Sequence, residues 1–138
     1  MPSKPVELHL PIHSDAELLA ARQKARQAAS ELGFGPKDIT SIVTSISELA
    51  RNMLMYAGSG EVIVRGVNGA RGIGLEVIAR DDRPGIPDLR RALMDGYSTS
   101  GGLGMGLPGV RRLMDEFDVQ SESGHGTIVT ALKWLEGR

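Results

Sequence analysis

A glycine-rich segment, residues 101–109, is the feature that most restricts how this chain can fold. Five of the 18 glycines in the 138-residue sequence lie within these nine positions. Apolar residues recur at helical spacing from Leu107 to Phe117, so a bare loop is predicted to lead directly into a helix. The backbone N–H groups of such a loop and the N-terminus of the helix can converge on phosphate oxygens. The alternative is a flexible glycine lid that holds no ligand.

Two common phosphate-binding motifs are absent from the sequence. There is neither a Walker A Gly-Lys-Ser/Thr motif nor a dinucleotide fingerprint after the first predicted strand. Lysine and arginine are also missing between Ala92 and Val110, so a phosphate-binding loop here would act through backbone dipoles and a metal ion. Ser98, Thr99 and Ser100 have no histidine placed to activate them, and we expect them to bond the loop backbone.

Composition excludes several classes of function. Sixteen basic and 17 acidic side chains give a formal net charge of -1, which provides no footprint for nucleic acid. The chain has no cysteine, so disulfides, thiolate metal sites and cysteine nucleophiles are excluded. No signal-peptide-like or membrane-spanning apolar run occurs, so we expect a cytoplasmic protein without membrane contact. The length predicts one domain over residues 1–138.

The spacing of apolar residues predicts an α+β protein. Alternation and β-branched runs indicate five strands, at residues 6–12, 61–67, 73–79, 118–122 and 127–135. Helical spacing and end signals indicate four helices, at residues 14–32, 36–56, 87–94 and 107–117. This order predicts a two-layer sandwich, with one mixed, mostly antiparallel sheet and helices on one face.

Glu48 and Asn52 are the first candidate pair for chemistry. They lie four residues apart on the second helix, so their side chains share the face opposite the apolar stripe. A carboxylate or amide oxygen there is a suitable ligand for Mg²⁺, and a carboxylate can accept a hydroxyl proton. The alternative is that both belong to a solvated helix face with Ser41 and Ser45.

Asp81 is the second candidate, because it follows a predicted strand. A carboxylate at a strand end can accept a hydrogen bond from an exocyclic amine such as that of adenine. The alternative is that residues 81–86 form an ordinary turn rich in Asp, Pro and Gly.

Four motifs in sequence order resemble the nucleotide-binding boxes of the GHKL superfamily of ATPases and kinases, which has the Bergerat fold. They are Glu48-Leu-Ala-Arg-Asn52, Asp81-Asp-Arg-Pro-Gly85, Gly102-Leu-Gly104-Met-Gly106 and Gly124-His-Gly126-Thr127. Longer stretches, such as Ile46-Ser-Glu-Leu-Ala-Arg-Asn52 and Ser98-Thr-Ser-Gly-Gly-Leu-Gly104, are similar to the RsbT-type serine/threonine kinases of stressosome signalling. This similarity extends from about His9 to Leu135.

The resemblance implies ATP and Mg²⁺ as cofactors and a role for each matched residue. Asn52 would hold the metal, Glu48 would orient or deprotonate the acceptor hydroxyl, and Asp81 would read adenine. The remaining residues expected around ATP are Gly85, Ser100, Gly101, Gly102, Leu103, Gly104, Met105, Gly106, Leu107 and Thr127. One departure is Arg83, which stands where the family's first glycine box has its middle glycine; it could crowd the adenine pocket or lie over the base.

The resemblance also implies partners. The family phosphorylates STAS-domain proteins like RsbS and RsbR on serine or threonine, and the released kinase binds and activates a PP2C-type phosphatase or another output protein. The alternative function is a nucleotide-responsive regulator that controls its partner by contact, with little or no phosphotransfer.

Overall fold

The computed structural model describes residues 7–81, 106–122 and 126–135. Five strands and three helices lie in these ranges. In chain order they are β1 (Glu7–Ile12), α1 (Asp15–Leu32), α2 (Pro36–Tyr56), β2 (Gly60–Gly69), β3 (Gly72–Asp81), α3 (Gly106–Leu113), β4 (Glu116–Glu122) and β5 (Gly126–Trp134). The helix predicted at residues 87–94 lies outside the described residues.

The five strands form one sheet in the order β1-β2-β3-β5-β4. All four pairings among the described strands are antiparallel. The predicted hairpin at residues 61–79 is confirmed, and its strands are longer than expected because pairing continues to Gly69 and Gly72. The last strand in sequence, β5, lies between β3 and β4, so the sheet order differs from the chain order.

The helices cover one face of this sheet. On β2, β3 and β5 most side chains that point toward the helices are buried, while most of their neighbours on the other face are at least partly exposed. The buried set joins α1, α2 and α3 in one apolar core, whose central members include Ile42, Ile46, Val64, Val77 and Val110. Burial of one face and hydration of the other are typical of an antiparallel sheet in a two-layer fold. The predicted α+β sandwich is therefore confirmed.

Local sequence signals set the ends of α1. The Ser14 hydroxyl accepts a hydrogen bond from the backbone N–H of Glu17 at 3.2 Å. The Glu17 carboxylate accepts one in turn from the N–H of His13 at 2.6 Å, so this cap reaches one residue further back than the usual capping box. Gly33 ends the helix with φ of 104°, a left-handed conformation that favours glycine.

The end of the helix predicted at residues 107–117 is wrong. The helix stops at Leu113, and Phe117 lies in β4 opposite Ala131 of β5. The backbone N–H of Asp115 already donates to the carbonyl of Leu132 at 2.9 Å, which ties the chain to the sheet. Phe117 and Val119 face the core at strand spacing, a pattern that the helical reading of residues 107–117 overlooked.

Candidate functional site

Helix α2 carries a polar stripe that the fold buries. Ser45, Glu48 and Asn52 follow one another at intervals of three and four residues, so they lie along one side of the helix. Ser45 is fully buried, Glu48 is only 7% exposed and Asn52 is partly buried. The alternative interpretation, a solvated helix face, is therefore wrong at the centre of the stripe. Helix α2 packs against α1, α3 and the sheet, which leaves little of it in water.

The Glu48 carboxylate makes a short ion pair within α2. Nη1 of Arg51, three residues further along the helix, donates to Oε2 of Glu48 at 2.6 Å. The Glu48 side chain is 10% exposed and that of Arg51 is 47% exposed, so the pair joins a buried anion to a cation at the surface. A short charge-assisted bond of this kind compensates part of the cost of burying the carboxylate.

Two buried serines next to Glu48 differ in their hydrogen bonding. The Ser47 hydroxyl donates to the carbonyl of Val43 at 2.9 Å, the usual back-bond to the preceding turn. The Ser45 hydroxyl is fully enclosed and has no hydrogen-bond partner among the described residues. A buried hydroxyl without a partner loses its hydration without compensation, so it destabilises the folded state.

Strands β3 and β5 bring together two further predicted site residues. Asp81, the last residue of β3, stands opposite Thr127, the second residue of β5. Their neighbours two residues away, Ala79 and Val129, are buried toward the helices, so both side chains belong to the helix-covered face. Thr127 is 7% exposed and Asp81 is partly buried. A carboxylate and a hydroxyl therefore end adjacent strands on the covered face.

An open, polar cleft of about 310 Å³ lies beside Asp81. Its lining includes an ion pair between Arg80 and Glu61 with an N–O distance of 3.0 Å. The cleft is lined by His13, Ala57, Ser59, Gly60, Glu61, Arg80 and Asp81. Glu48, Asn52 and Thr127 do not line it. Among the described residues, Asp81 is therefore the one predicted site residue in this cleft, and its other lining residues were not selected from the sequence.

The glycine-rich motif is described only at its C-terminal end. Gly106 is the first residue of α3, so the segment does lead directly into a helix as predicted. Leu107 is 5% exposed and belongs to the apolar core. The other predicted residues of the two glycine boxes lie outside the described residues; they are Gly85, Ser100, Gly101, Gly102, Leu103, Gly104 and Met105. Arg83 also lies outside the described residues.

Within the described ranges, no cluster of three or more His, Asp or Glu side chains could hold a metal ion by itself. A divalent cation at Asn52 would therefore need most of its ligands from phosphate oxygens and water, the usual arrangement for Mg²⁺. In the same ranges, no helix combines the length and the apolar character required to span a bilayer.

Sequence reasoning missed Arg51 as a partner of Glu48. The signal was available, because opposite charges three residues apart on a helix are neighbours. This spacing alone did not single out Arg51, since such pairs are common on solvated helix faces. Only the burial of Glu48 makes this pair significant.

A sequence model of one protein family spans most of this chain. The model for histidine kinase-, DNA gyrase B- and HSP90-like ATPases matches residues 37–137, which include Glu48, Asn52, Asp81 and Thr127. The serine/threonine-protein kinase RsbT of Bacillus subtilis (strain 168) is 53% identical over 124 residues, covering 90% of this chain and 93% of that protein. The chain belongs to this ATPase family as an RsbT-type serine/threonine kinase.

Other relatives of this RsbT-type kinase agree with that assignment. The anti-sigma F factor of Caldanaerobacter subterraneus subsp. tengcongensis is 30% identical over 121 residues, 83% of each chain. A crystal structure of the RsbU and RsbW domains of Rv1364c from Mycobacterium tuberculosis has a TM-score of 0.66 at 19% identity. That match covers 96% of this chain and 32% of the other, and it supports the fold alone. Relatives that include a kinase and anti-sigma factors indicate an ATP-using kinase of a partner-switching system.

Proposed function

We propose that this RsbT-type kinase transfers the γ-phosphoryl group of ATP to a serine or threonine of STAS-domain proteins like RsbS and RsbR. Once released from them, it binds and activates an output protein such as a PP2C-type phosphatase. The observation that carries the proposal is the position of Glu48, a buried carboxylate one helical turn before Asn52 on the polar stripe of α2. A contact-only regulator has no need for a proton acceptor placed in this way.

In the proposed reaction Glu48 accepts the proton of the acceptor hydroxyl. A bond forms between that hydroxyl oxygen and the γ-phosphorus, while the bond from phosphorus to the bridging oxygen of ADP breaks. The proton then passes from Glu48 to solvent. Phosphoryl transfer needs positioning and charge stabilisation more than covalent chemistry, and an ordered carboxylate supplies the first of these.

The donor set of α2 fits Mg²⁺ bound through the nucleotide. Asn52 offers one amide oxygen, and the described residues provide no protein-only metal cage, so phosphate oxygens and water complete the shell. When bound, the ion neutralises charge on the phosphates. In our proposal, the backbone of residues 100–107 closes over these phosphates, with the glycines at 101, 102, 104 and 106 allowing close approach.

We propose that adenine binds at the end of the sheet. Asp81 would accept a hydrogen bond from the exocyclic amine, and Thr127, opposite it in the strand register, would contribute its hydroxyl, with Gly85 nearby in sequence. Asp81 and Thr127 stand on the covered side of the sheet, which supports a nucleotide placed between the sheet and α2. We further propose that residues 1–138 form one catalytic domain acting in the cytoplasm, where ATP is available.

The test is phosphate transfer from Mg·ATP to a STAS-domain protein from the same genome, followed by mass spectrometry. Glu48→Gln removes the proton acceptor while keeping size, and the rate should fall by about 100- to 10,000-fold. Glu76→Gln is the matched control, since Glu76 is also largely buried and paired with an arginine, Arg65, but lies on the uncovered sheet face.

Each outcome decides between the two functions. A phosphorylated serine or threonine that requires Glu48 but not Glu76 supports the kinase mechanism. Transfer at the wild-type rate by Glu48→Gln removes Glu48 from the reaction. Complex formation without transfer by the wild-type protein favours the contact-only regulator for that partner.

A further inference from the structure

We infer that Arg51 is a positioning residue for phosphoryl transfer, which holds the Glu48 carboxylate in its reactive orientation. The inference rests on the proposed role of Glu48 as proton acceptor. It begins from the 2.6 Å contact between Nη1 of Arg51 and Oε2 of Glu48, whose residues are neighbours three positions apart on α2.

Burial explains why this ion pair differs from an ordinary surface pair. The Glu48 side chain is 10% exposed, so its charge has lost most of its hydration. A carboxylate in that position is costly unless a cation and hydrogen bonds compensate it. Arg51 provides the cation from the same helix, and the planar guanidinium restricts the orientation of the carboxylate more than a flexible ammonium would.

The Arg51 side chain is the more exposed member of the pair. Glu48 has to meet a hydroxyl that arrives on another protein, so it must be reachable from outside although it is nearly buried. The Arg51 side chain is 47% exposed, so its guanidinium contacts the Glu48 carboxylate from the more exposed end of the pair. In our proposal the acceptor residue approaches Glu48 next to this guanidinium. A one-ångström error in such placement costs about 100-fold in rate.

The chain contains a matched control for this arginine. On the uncovered sheet face, Nε of Arg65 pairs with Oε1 of Glu76 across β2 and β3. Arg65 is 46% exposed and Glu76 18% exposed, values close to those of Arg51 and Glu48. Arg65→Ala therefore removes a similar cation from a similar glutamate, but away from α2.

The experiment measures kcat and KM for ATP in phosphate transfer to the STAS-domain protein used above. In Arg51→Ala we expect kcat to fall about 10- to 100-fold, while KM for ATP stays within about two-fold. Arg51→Lys should keep part of the rate, and added guanidinium at non-denaturing concentration should restore part of it to Arg51→Ala. Arg65→Ala should transfer phosphate at the wild-type rate.

A double-mutant cycle separates positioning from an independent role. If Arg51 acts through Glu48, then Glu48→Gln/Arg51→Ala should be no slower than Glu48→Gln alone. Circular dichroism and thermal unfolding show whether each variant is folded. If Arg51→Ala is unfolded, Arg51→Lys takes its place in the cycle. A wild-type kcat in folded Arg51→Ala, or an equal loss of rate on adding Arg51→Ala to Glu48→Gln, would overturn the inference.

Failure of this inference is distinguishable from failure of the proposed function. If Glu48→Gln abolishes transfer and Arg51→Ala does not, Glu48 keeps its role and Arg51 is a structural ion pair only. If Glu48→Gln transfers phosphate normally, both the proposed mechanism and the role of Arg51 are contradicted.

Discussion

Asp81 at the end of β3 lies opposite Thr127 of β5 in the antiparallel register. The two residues are far apart in sequence, yet both end up on the helix-covered face of the sheet. Their side chains combine an acceptor with a hydroxyl that can donate or accept, which suits the edge of a purine base. The first prediction tests this pair.

Thr127→Val should weaken ATP binding by about 5- to 30-fold, because it removes one hydrogen bond worth about 1–2 kcal/mol and leaves the size unchanged. Isothermal titration calorimetry with Mg·ATP measures the effect. Thr130→Val is the matched control, since Thr130 lies on the same strand but points to the uncovered face. Equal ATP affinities of the wild type and Thr127→Val would show that the Thr127 hydroxyl does not bind the nucleotide.

Ser45→Ala should raise the free energy of unfolding by about 1 kcal/mol, because it removes a fully buried hydroxyl that has no hydrogen-bond partner in the part of the chain that the structure describes. Urea unfolding measures the change. Ser47→Ala is the control on the same helix: its hydroxyl is bonded to Val43, so its removal should bring no such gain. A loss of stability in Ser45→Ala would mean that its hydroxyl is satisfied in solution.

Gly60→Ser should lower the free energy of unfolding by about 1–3 kcal/mol through overpacking. A Cβ atom there would collide with Sδ of Met53 and come within 2.6 Å of the carbonyl oxygen of Arg80. Met53 can shift, but the Arg80 carbonyl belongs to the sheet. Gly35→Ser is the control, because a Cβ there meets nothing within 4 Å and serine is a favourable residue at the start of a helix. Urea unfolding of both variants should show a loss only at position 60.

His9 should make stability depend weakly on pH. Its hydrogen bond to Glu7 at 2.8 Å, followed by that to Glu61 at 3.2 Å, raises the pKa of His9 above its ordinary value of 6.5. Because the folded state binds the proton more tightly, the stabilisation is complete below the unfolded pKa and is lost as pH rises through the folded pKa. The effect should be small, since the side chain is 52% exposed.

The measurement compares urea midpoints of wild type and His9→Gln at about pH 6 and about pH 9, on either side of the histidine range. The advantage of the wild type should be present at the lower pH and absent at the higher one. An advantage that is independent of pH would show that protonation of His9 is not involved.

Much of the candidate site could be predicted because its motifs are local. The spacing of Glu48 and Asn52 places them on one side of α2 regardless of the rest of the fold, and the structure agrees. Asp81 was expected at a strand end and is the last residue of β3. Sequence spacing could not predict the burial of Glu48, because burial depends on which helices pack around α2.

The sequence by itself determined the features that depend on residues within about one turn or one hairpin. Examples are the Ser14 cap and Gly33 end of α1, and the antiparallel pairing of β2 with β3. These features follow from hydrogen bonds and backbone dihedral preferences among residues close in sequence, so they do not depend on the rest of the fold.

Only the tertiary structure decided which distant segments meet. It placed β5 rather than β4 beside β3, so that Thr127 faces Asp81. It placed Phe117 in the sheet instead of α3, and it buried the centre of the polar stripe of α2, which spacing alone left compatible with a solvated face. The physical reason is that side-chain spacing fixes which face a residue occupies, whereas its neighbours and its hydration depend on how the whole chain closes around one core.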